Sequence, residues 1–139
     1  MADPAPDGAI AEKISVLIVE DDAPTRWRIA DALAQTGEFQ VTEAANLAEA
    51  RAFFSASEPR VLLTDLQLPD GHGSDLIRET RVRYPAMEIM VISILGDEES
   101  VISAITVGAN GYLLKDAFPT DIADTVRDLV RGHSPISAS

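Results

Sequence analysis

The sequence predicts an α/β fold in which five strand-helix units, (βα)5, build one parallel sheet. Two observations support this class: five short apolar runs rich in β-branched residues recur along the chain, and segments with helical periodicity separate them. Right-handed crossovers between parallel strands place helices on both faces, so the sheet is doubly wound. A chain of 139 residues, 46% hydrophobic and only 5% aromatic, is long enough for one domain with an aliphatic core.

The five predicted strands cover residues 14–19, 39–44, 60–65, 87–93 and 111–114. The first, third and fourth are almost entirely apolar, which is typical of parallel strands buried on both faces. The second alternates around Phe39 and Val41, so we expect it at an edge of the sheet.

The five predicted helices lie between and after these strands. Pro24 suits the first turn of the first helix, where Ile29 and Leu33 face the core and Gly37 ends the helix. The other helices carry apolar residues at helical spacing: Leu47, Ala50 and Phe54; Leu76 and Ile77; Val101, Ile102 and Ile105 before Gly108; and Ile122, Val126 and Leu129 after Pro119.

These elements set the expected boundaries of the domain. Residues 1–12 are predicted to be a disordered leader, residues 13–131 the folded domain, and residues 132–139 a tail that resembles a linker.

Composition excludes several classes of function. The chain lacks cysteine, so disulfides and thiolate metal sites are excluded. No apolar stretch approaches the roughly 20 residues of a membrane span, and the first residues lack a signal-peptide pattern, so we expect a cytoplasmic protein without membrane contact. The net charge of -12 repels phosphate backbones, so this segment should not bind nucleic acid.

Polar residues follow four of the predicted strands. The carboxyl ends of parallel strands meet at one edge of a sheet, where ligands bind in open α/β folds. The sequence therefore predicts one pocket formed by the acidic triplet Glu20-Asp21-Asp22, Asp65, Ser93 and Lys115.

This set of side chains suits phosphoryl transfer. Clustered carboxylates repel each other unless a cation lies among them, and an oxygen-rich site of this kind favours Mg²⁺, which commonly accompanies phosphate. An aspartate can attack phosphorus, and a nearby ammonium and hydroxyl can then hold the phosphoryl oxygens. We expect phosphoryl transfer onto Asp65, assisted by Lys115 and Ser93.

Two stretches carry a resemblance to a known family: Val61-Leu-Leu-Thr-Asp-Leu-Gln-Leu-Pro-Asp-Gly71 and Gly108-Ala-Asn-Gly-Tyr-Leu-Leu-Lys-Asp116. Over residues 14–131 the chain resembles the receiver domain of bacterial two-component response regulators, and these stretches are closest to the NarL/LuxR-type subfamily. The resemblance implies a flavodoxin-like sheet with strand order 2-1-3-4-5.

The same resemblance implies roles for single residues, with Asp65 as the phosphoacceptor. The remaining matches are Glu20 and Asp21, which would hold Mg²⁺ with Asp65 and the backbone carbonyl of Gln67; Ser93 and Tyr112, the switch hydroxyl and switch aromatic; and Lys115, the family's lysine.

Only two acids of the triplet fit the family's metal-binding pair. We assign Glu20 and Asp21 to the metal, because this register places Arg26 where many receivers carry an arginine. Asp22 is then free to begin the first helix.

The chain departs from many receivers at two positions. Ile94 follows Ser93 where a small residue is common, so we expect slower access of phosphodonors or water to Asp65. Asp116 follows Lys115 in place of a common proline, which leaves open whether the peptide after Lys115 is cis.

The resemblance also implies partners. A sensor histidine kinase or a phosphotransfer protein would donate the phosphoryl group. A homodimer stays open, because helix faces alone do not fix a dimer interface. NarL/LuxR-type relatives carry a C-terminal helix-turn-helix domain that binds promoters, and the chain ends at Ser139 before any such pattern. Either the protein is longer, with transcriptional control in the missing part, or it is a stand-alone receiver; the linker-like tail favours the first.

Two rival functions remain. Phosphatases of the haloacid-dehalogenase type also use an aspartate and Mg²⁺, but they carry a second aspartate where this chain has Gln67. A receiver fold that does not use its phosphorylation site would be a pure interaction module. We expect the receiver, whose only catalysis is accepting and slowly losing the phosphoryl group.

The predicted switch depends on new bonds to the phosphoryl group. Charged hydrogen bonds from Ser93 and Lys115 would supply roughly 3 to 6 kcal/mol if both formed only after phosphorylation. Ser93 would move to the phosphoryl group, and Tyr112 would turn inward.

Overall fold

Five strands and five helices alternate along residues 12–132, the part of the chain that this computed structural model describes. The strands of the main sheet are β1 (Ile14–Val19), β2 (Phe39–Ala44), β3 (Val61–Asp65), β4 (Glu88–Ser93) and β5 (Gly111–Leu114). The helices are α1 (Ala23–Ala34), α2 (Leu47–Ala56), α3 (Gly73–Arg83), α4 (Glu98–Val107) and α5 (Pro119–Val130). A short hairpin, left unnumbered, joins Gln67–Leu68 to Gly71–His72 between β3 and α3.

The main sheet is wholly parallel, in the order β2-β1-β3-β4-β5. This confirms the predicted doubly wound sheet and its order 2-1-3-4-5, with β2 at an edge. Strands β3 and β4 each begin one residue later than predicted, and the hairpin was not predicted. Two-residue strands are too short to leave a periodic signal in the sequence.

The core lies on both faces of the sheet, because successive side chains of a strand point to opposite sides. Val16 and Ile18 of β1 pack in the cluster with α1 and α5, whereas Leu17 and Val19 pack with α2, α3 and α4. All four side chains are buried. The polar ends of the strands are thereby left at the rim of the sheet.

Helix α1 begins and ends with local hydrogen bonds. The Asp22 carboxylate accepts a hydrogen bond from the Thr25 N–H at 3.1 Å and so caps the helix, as predicted. The prediction ended the helix at Gly37, but the helix already ends at Ala34. Gly37 lies in the following turn with φ 76°, and its N–H bonds to the Ala34 carbonyl.

Helix α4 packs on the sheet through a different face from the one that its apolar residues suggested. Ala104 is its fully buried residue, Ile105 is half-buried, and Ile102 is 62% exposed. Apolar residues surround this ten-residue helix, so periodicity alone could not select the side facing the sheet.

Three further features bear on the predictions. All peptide bonds within residues 12–132 are trans, including the one after Lys115. No helix in this range is long and apolar enough to cross a bilayer. Except for Glu12 and Gly132, the expected leader (1–12) and tail (132–139) lie outside the described residues.

Candidate functional site

The polar residues that follow four strands come together at the carboxyl edge of the sheet. Asp65 and Ser93 end β3 and β4, and Glu20 and Lys115 come directly after β1 and β5. Backbone bonds extend the strands to these positions: the Glu20 N–H donates to the Ala44 carbonyl at 3.0 Å, and the Lys115 N–H donates to the Ser93 carbonyl at 2.8 Å.

The Asp65 carboxylate is buried and held on both oxygens. Its Oδ2 accepts a hydrogen bond from Lys115 Nζ at 2.8 Å, and its Oδ1 accepts one from the Leu66 N–H at 2.7 Å. Only 7% of the residue is exposed. The side chain is therefore oriented before any ligand binds.

Lys115 also contacts Glu20, whose Oε1 lies 3.2 Å from Nζ. Glu20 is fully buried, and this burial, reinforced by the charge of Asp65, raises the pKa of its carboxyl. Burial alone would lower the pKa of Lys115, but its hydrogen bond to Asp65 and the charges of Asp65 and Glu20 outweigh that effect and raise it. The lysine is thus the cation that these two buried carboxylates share.

A third carboxylate completes an acidic cluster. One oxygen each of Glu20, Asp21 and Asp65 lies within 4.8 Å of the others, a grouping that could hold a metal ion. Asp21 is exposed, unlike the other two. Asp22 does not join this group, since its carboxylate caps α1.

The backbone carbonyl of Gln67 is not used by the hairpin. The Gly73 N–H donates to the Leu66 carbonyl at 2.7 Å, which makes Gln67 and His72 a pair without mutual hydrogen bonds. The N–H of Gln67 points to Asp65 Oδ1 at 3.4 Å. In an extended residue the carbonyl points to the same side as the N–H, so we expect the Gln67 carbonyl on the side of its strand that faces Asp65.

Ser93 and Tyr112 line one groove. The Ser93 side chain is buried, and its Oγ has no hydrogen-bond partner among residues 12–132. Tyr112 is 41% exposed. The groove measures about 270 Å³, and its other apolar lining residues are Ile94, Leu95, Val101, Ile102 and Leu114.

Three residues that sequence reasoning missed support the site. The Thr64 hydroxyl donates to the Asp65 carbonyl at 2.8 Å, and Gly73 packs against that same carbonyl. Asp70, at the tip of the hairpin, bonds to the start of α2. A glycine at the first position of a helix was the one available signal, and it equally suits an ordinary turn.

Comparisons with known proteins agree with this geometry. The family model described as the response regulator receiver domain matches residues 16–127. The DNA-binding transcriptional activator DevR/DosR of Mycobacterium tuberculosis is 34% identical over 122 residues, which cover 87% of this chain and 56% of that protein. The photosynthetic apparatus regulatory protein RegA of Rhodovulum sulfidophilum is 37% identical over 113 residues, which cover 81% of this chain and 61% of that protein.

A solved structure gives the same result for the fold. The signal receiver domain described as NarL from Mycobacterium tuberculosis superposes with a TM-score of 0.80 at 30% identity, covering 88% of this chain and 99% of that one. The chain spans little more than half the length of the curated relatives it matches. It belongs to the response regulator receiver domain family of two-component systems and is of the NarL/LuxR type.

Proposed function

We propose that Asp65 accepts a phosphoryl group from a phosphohistidine on a sensor histidine kinase or a phosphotransfer protein. An Asp65 oxygen forms the bond to phosphorus as the bond from phosphorus to the histidine nitrogen breaks, and the imidazole leaves. The main support is the contact of Lys115 Nζ with Asp65 Oδ2 at 2.8 Å, in a pocket that also contains two more carboxylates. The chain would not turn over a substrate, beyond slow loss of its own phosphoryl group.

The donor set fits Mg²⁺. Three carboxylates lie together, and Lys115 pairs with only two of them, Glu20 and Asp65. The buried Glu20 Oε1 contacts Lys115 Nζ at 3.2 Å and leaves further acceptor capacity for a cation. Glu20, Asp21 and Asp65 with the Gln67 carbonyl would supply the all-oxygen ligands that Mg²⁺ prefers. Bound there, the ion would neutralise the carboxylates and the phosphoryl oxygens.

Side chains of this domain would bind the phosphoryl group and respond to it. Lys115 would exchange its bond with Asp65 Oδ2 for one with a phosphoryl oxygen. Ser93 Oγ, which has no partner now within residues 12–132, would donate a new hydrogen bond to the phosphoryl group. The groove beside Ser93 would then admit the ring of Tyr112.

These contacts make the energy available for switching smaller than the sequence suggested. Lys115 is already bonded to Asp65 and Glu20, so its contacts are exchanged rather than gained. Only the Ser93 bond is new, and a charged hydrogen bond contributes about 1.5 to 3 kcal/mol. That energy shifts an equilibrium roughly ten- to hundredfold, less than the roughly 10⁴-fold needed to move it from 1:99 to 99:1.

Transcriptional control would belong to a region outside this chain, corresponding to the part of the relatives that the chain does not cover. DevR/DosR is named a DNA-binding transcriptional activator, and 56% of it is covered here. The net charge of -12 opposes binding of DNA by this segment. We infer that phosphorylation here controls a DNA-binding domain elsewhere in the protein, with homodimerisation as one available route.

Intact mass spectrometry tests the proposal. The protein is incubated with acetyl phosphate and Mg²⁺, beside Asp65→Asn and a metal-free sample. One added phosphate only on the wild type with Mg²⁺ supports the proposal. A folded wild type that gains no phosphate and binds no phosphoryl mimic contradicts it, and favours the interaction module that does not use its phosphorylation site.

A further inference from the structure

Asp70 connects the hairpin after Asp65 to the amino terminus of α2. Its Oδ1 accepts a hydrogen bond from the Leu47 N–H at 2.8 Å, and its Oδ2 accepts one from the Ala48 N–H at 3.0 Å. Asn46 caps the next free amide, that of Glu49, at 2.8 Å. The first amides of α2 are therefore shared between a residue of its own cap and a residue 22 or more positions away.

The hairpin tip also packs tightly on α2. Gly71 has φ +152°, and a Cβ at this position would lie 2.7 Å from Leu47 Cδ1. The backbone N–H bonds from Leu47 and Ala48 lower the pKa of Asp70, so its carboxylate is charged at neutral pH. A negative charge is favourable at the positive end of a helix.

The same hairpin positions the Gln67 carbonyl. Two residues, Pro69 and Asp70, connect its strands, in which Leu68 pairs with Gly71 and Gln67 with His72. At its base the Gly73 N–H bonds to the Leu66 carbonyl at 2.7 Å. The hairpin is thus held at the base beside Asp65 and at the tip by α2, and Gln67 lies between these two attachments.

We propose that Asp70 is a positioning residue for the metal site: by holding the hairpin tip on α2, its carboxylate keeps the Gln67 carbonyl aimed at the acidic cluster. This inference rests on the proposed function, because Gln67 matters only if Mg²⁺ binds. Outer residues that orient metal ligands typically change metal affinity 10–100-fold when mutated.

Three variants separate positioning from other effects. Asp70→Ala removes both acceptors and the charge. Asp70→Asn removes the charge but keeps one acceptor oxygen. Asn46→Ala weakens the start of α2 while leaving the hairpin attached. Each is compared with the wild type by calorimetric titration of Mg²⁺ and by the rate of phosphorylation from acetyl phosphate at rising Mg²⁺, after circular dichroism has shown a folded protein.

The expected result is a roughly tenfold weaker Mg²⁺ affinity in Asp70→Ala, with the rate at saturating Mg²⁺ close to the wild-type rate. The Mg²⁺ affinity of Asp70→Asn should lie between those of Asp70→Ala and the wild type. The affinity of Asn46→Ala should match that of the wild type. Equal losses in Asp70→Asn and Asp70→Ala would indicate a simple charge effect and overturn the inference.

Other outcomes distinguish this inference from the proposed function. If the wild type binds Mg²⁺ and takes up phosphate while Asp70→Ala binds Mg²⁺ equally well, the positioning role is overturned and the proposed function stands. If Asp70→Ala does not fold, an affinity of Asp70→Asn equal to that of the wild type overturns it instead. A wild type that neither binds Mg²⁺ nor takes up phosphate overturns both.

Discussion

Gly73 lies so close to the carbonyl of Asp65 that no side chain fits between them. A Cβ at position 73 would lie 2.0 Å from the Asp65 carbonyl oxygen. The contact joins the first residue of α3 to the last residue of β3. The backbone of the candidate phosphoacceptor is therefore held by close packing as well as by hydrogen bonds.

Gly73→Ala should destabilise the protein by about 3 kcal/mol, since the backbone must move to admit the methyl group. Urea unfolding followed by circular dichroism measures the loss. Gly37→Ala is the control: its surroundings are open, but its φ of +76° costs an alanine about 1 to 2 kcal/mol. A loss at Gly73 no larger than the loss at Gly37 would contradict the steric account.

Lys115→Met should destabilise the metal-free protein by about 2 kcal/mol. Removing one partner of a buried ion pair costs about 3 to 5 kcal/mol, and the lysine side chain is 28% exposed, which reduces the figure. Mg²⁺ should restore part of the loss. Arg51→Met, which breaks the exposed pair with Glu79, should cost at most about 1 kcal/mol. Similar unfolding midpoints for both variants would refute the prediction.

Ile94→Ala should release phosphate faster than the wild type does. Ile94 follows Ser93, is 59% exposed, and lines the groove that reaches Ser93, so its bulk should limit the approach of water. A time course of phosphate release from the phosphorylated protein measures this. Leu95→Ala is the matched control, because Leu95 is equally apolar, 78% exposed and one residue further from Ser93. Equal rates in the wild type and Ile94→Ala would remove the basis for the prediction.

Phosphorylation should lower the accessibility of Tyr112. Tyr112 is 41% exposed now, and an inward turn would bury its ring in the groove beside Ser93. Nitration by tetranitromethane, located by peptide mass, reports the change. Tyr84, the other tyrosine, stacks on Phe54 away from the groove and serves as an internal reference. An unchanged ratio of nitration at the two tyrosines after phosphorylation would exclude the inward turn.

Asp70 should make stability depend on pH in the acid range. Hydrogen bonds from the Leu47 and Ala48 amides, together with the charge of Arg51, lower its pKa below the ordinary 3.8. A lowered acid pKa means that the folded state binds the proton less readily than the unfolded state. The stabilisation is therefore present above about pH 3.8 and is lost as the pH falls through the folded-state pKa.

Urea unfolding of the wild type and Asp70→Ala, from neutral pH down to about pH 2.5, tests this dependence. The difference in free energy of unfolding should be constant near neutral pH and should shrink in acid. A difference that stays constant or grows in acid would show that the charge of Asp70 does not stabilise the fold.

The sequence predicted the sheet well because buried parallel strands leave a strong local pattern. Strands β1, β3 and β4 are almost entirely apolar, and their ends place Glu20, Asp65 and Ser93 on one edge whatever the details of packing. Helix α4 was less well predicted, because its apolar residues do not form a single stripe. Ile102, which was among the residues that marked this helix, is exposed, whereas Ala104 is buried.

The sequence by itself determined the fold class, the strand order implied by the family resemblance, and the strand ends at which Glu20, Asp65, Ser93 and Lys115 stand. Only the tertiary structure decided how they are held: that Lys115 already bonds to Asp65 and Glu20, that Gly73 packs against the Asp65 carbonyl, and that Asp70 reaches α2. The reason is physical. Periodicity and strand ends are local properties of the chain, whereas these contacts join residues brought together only when the sheet and its helices pack.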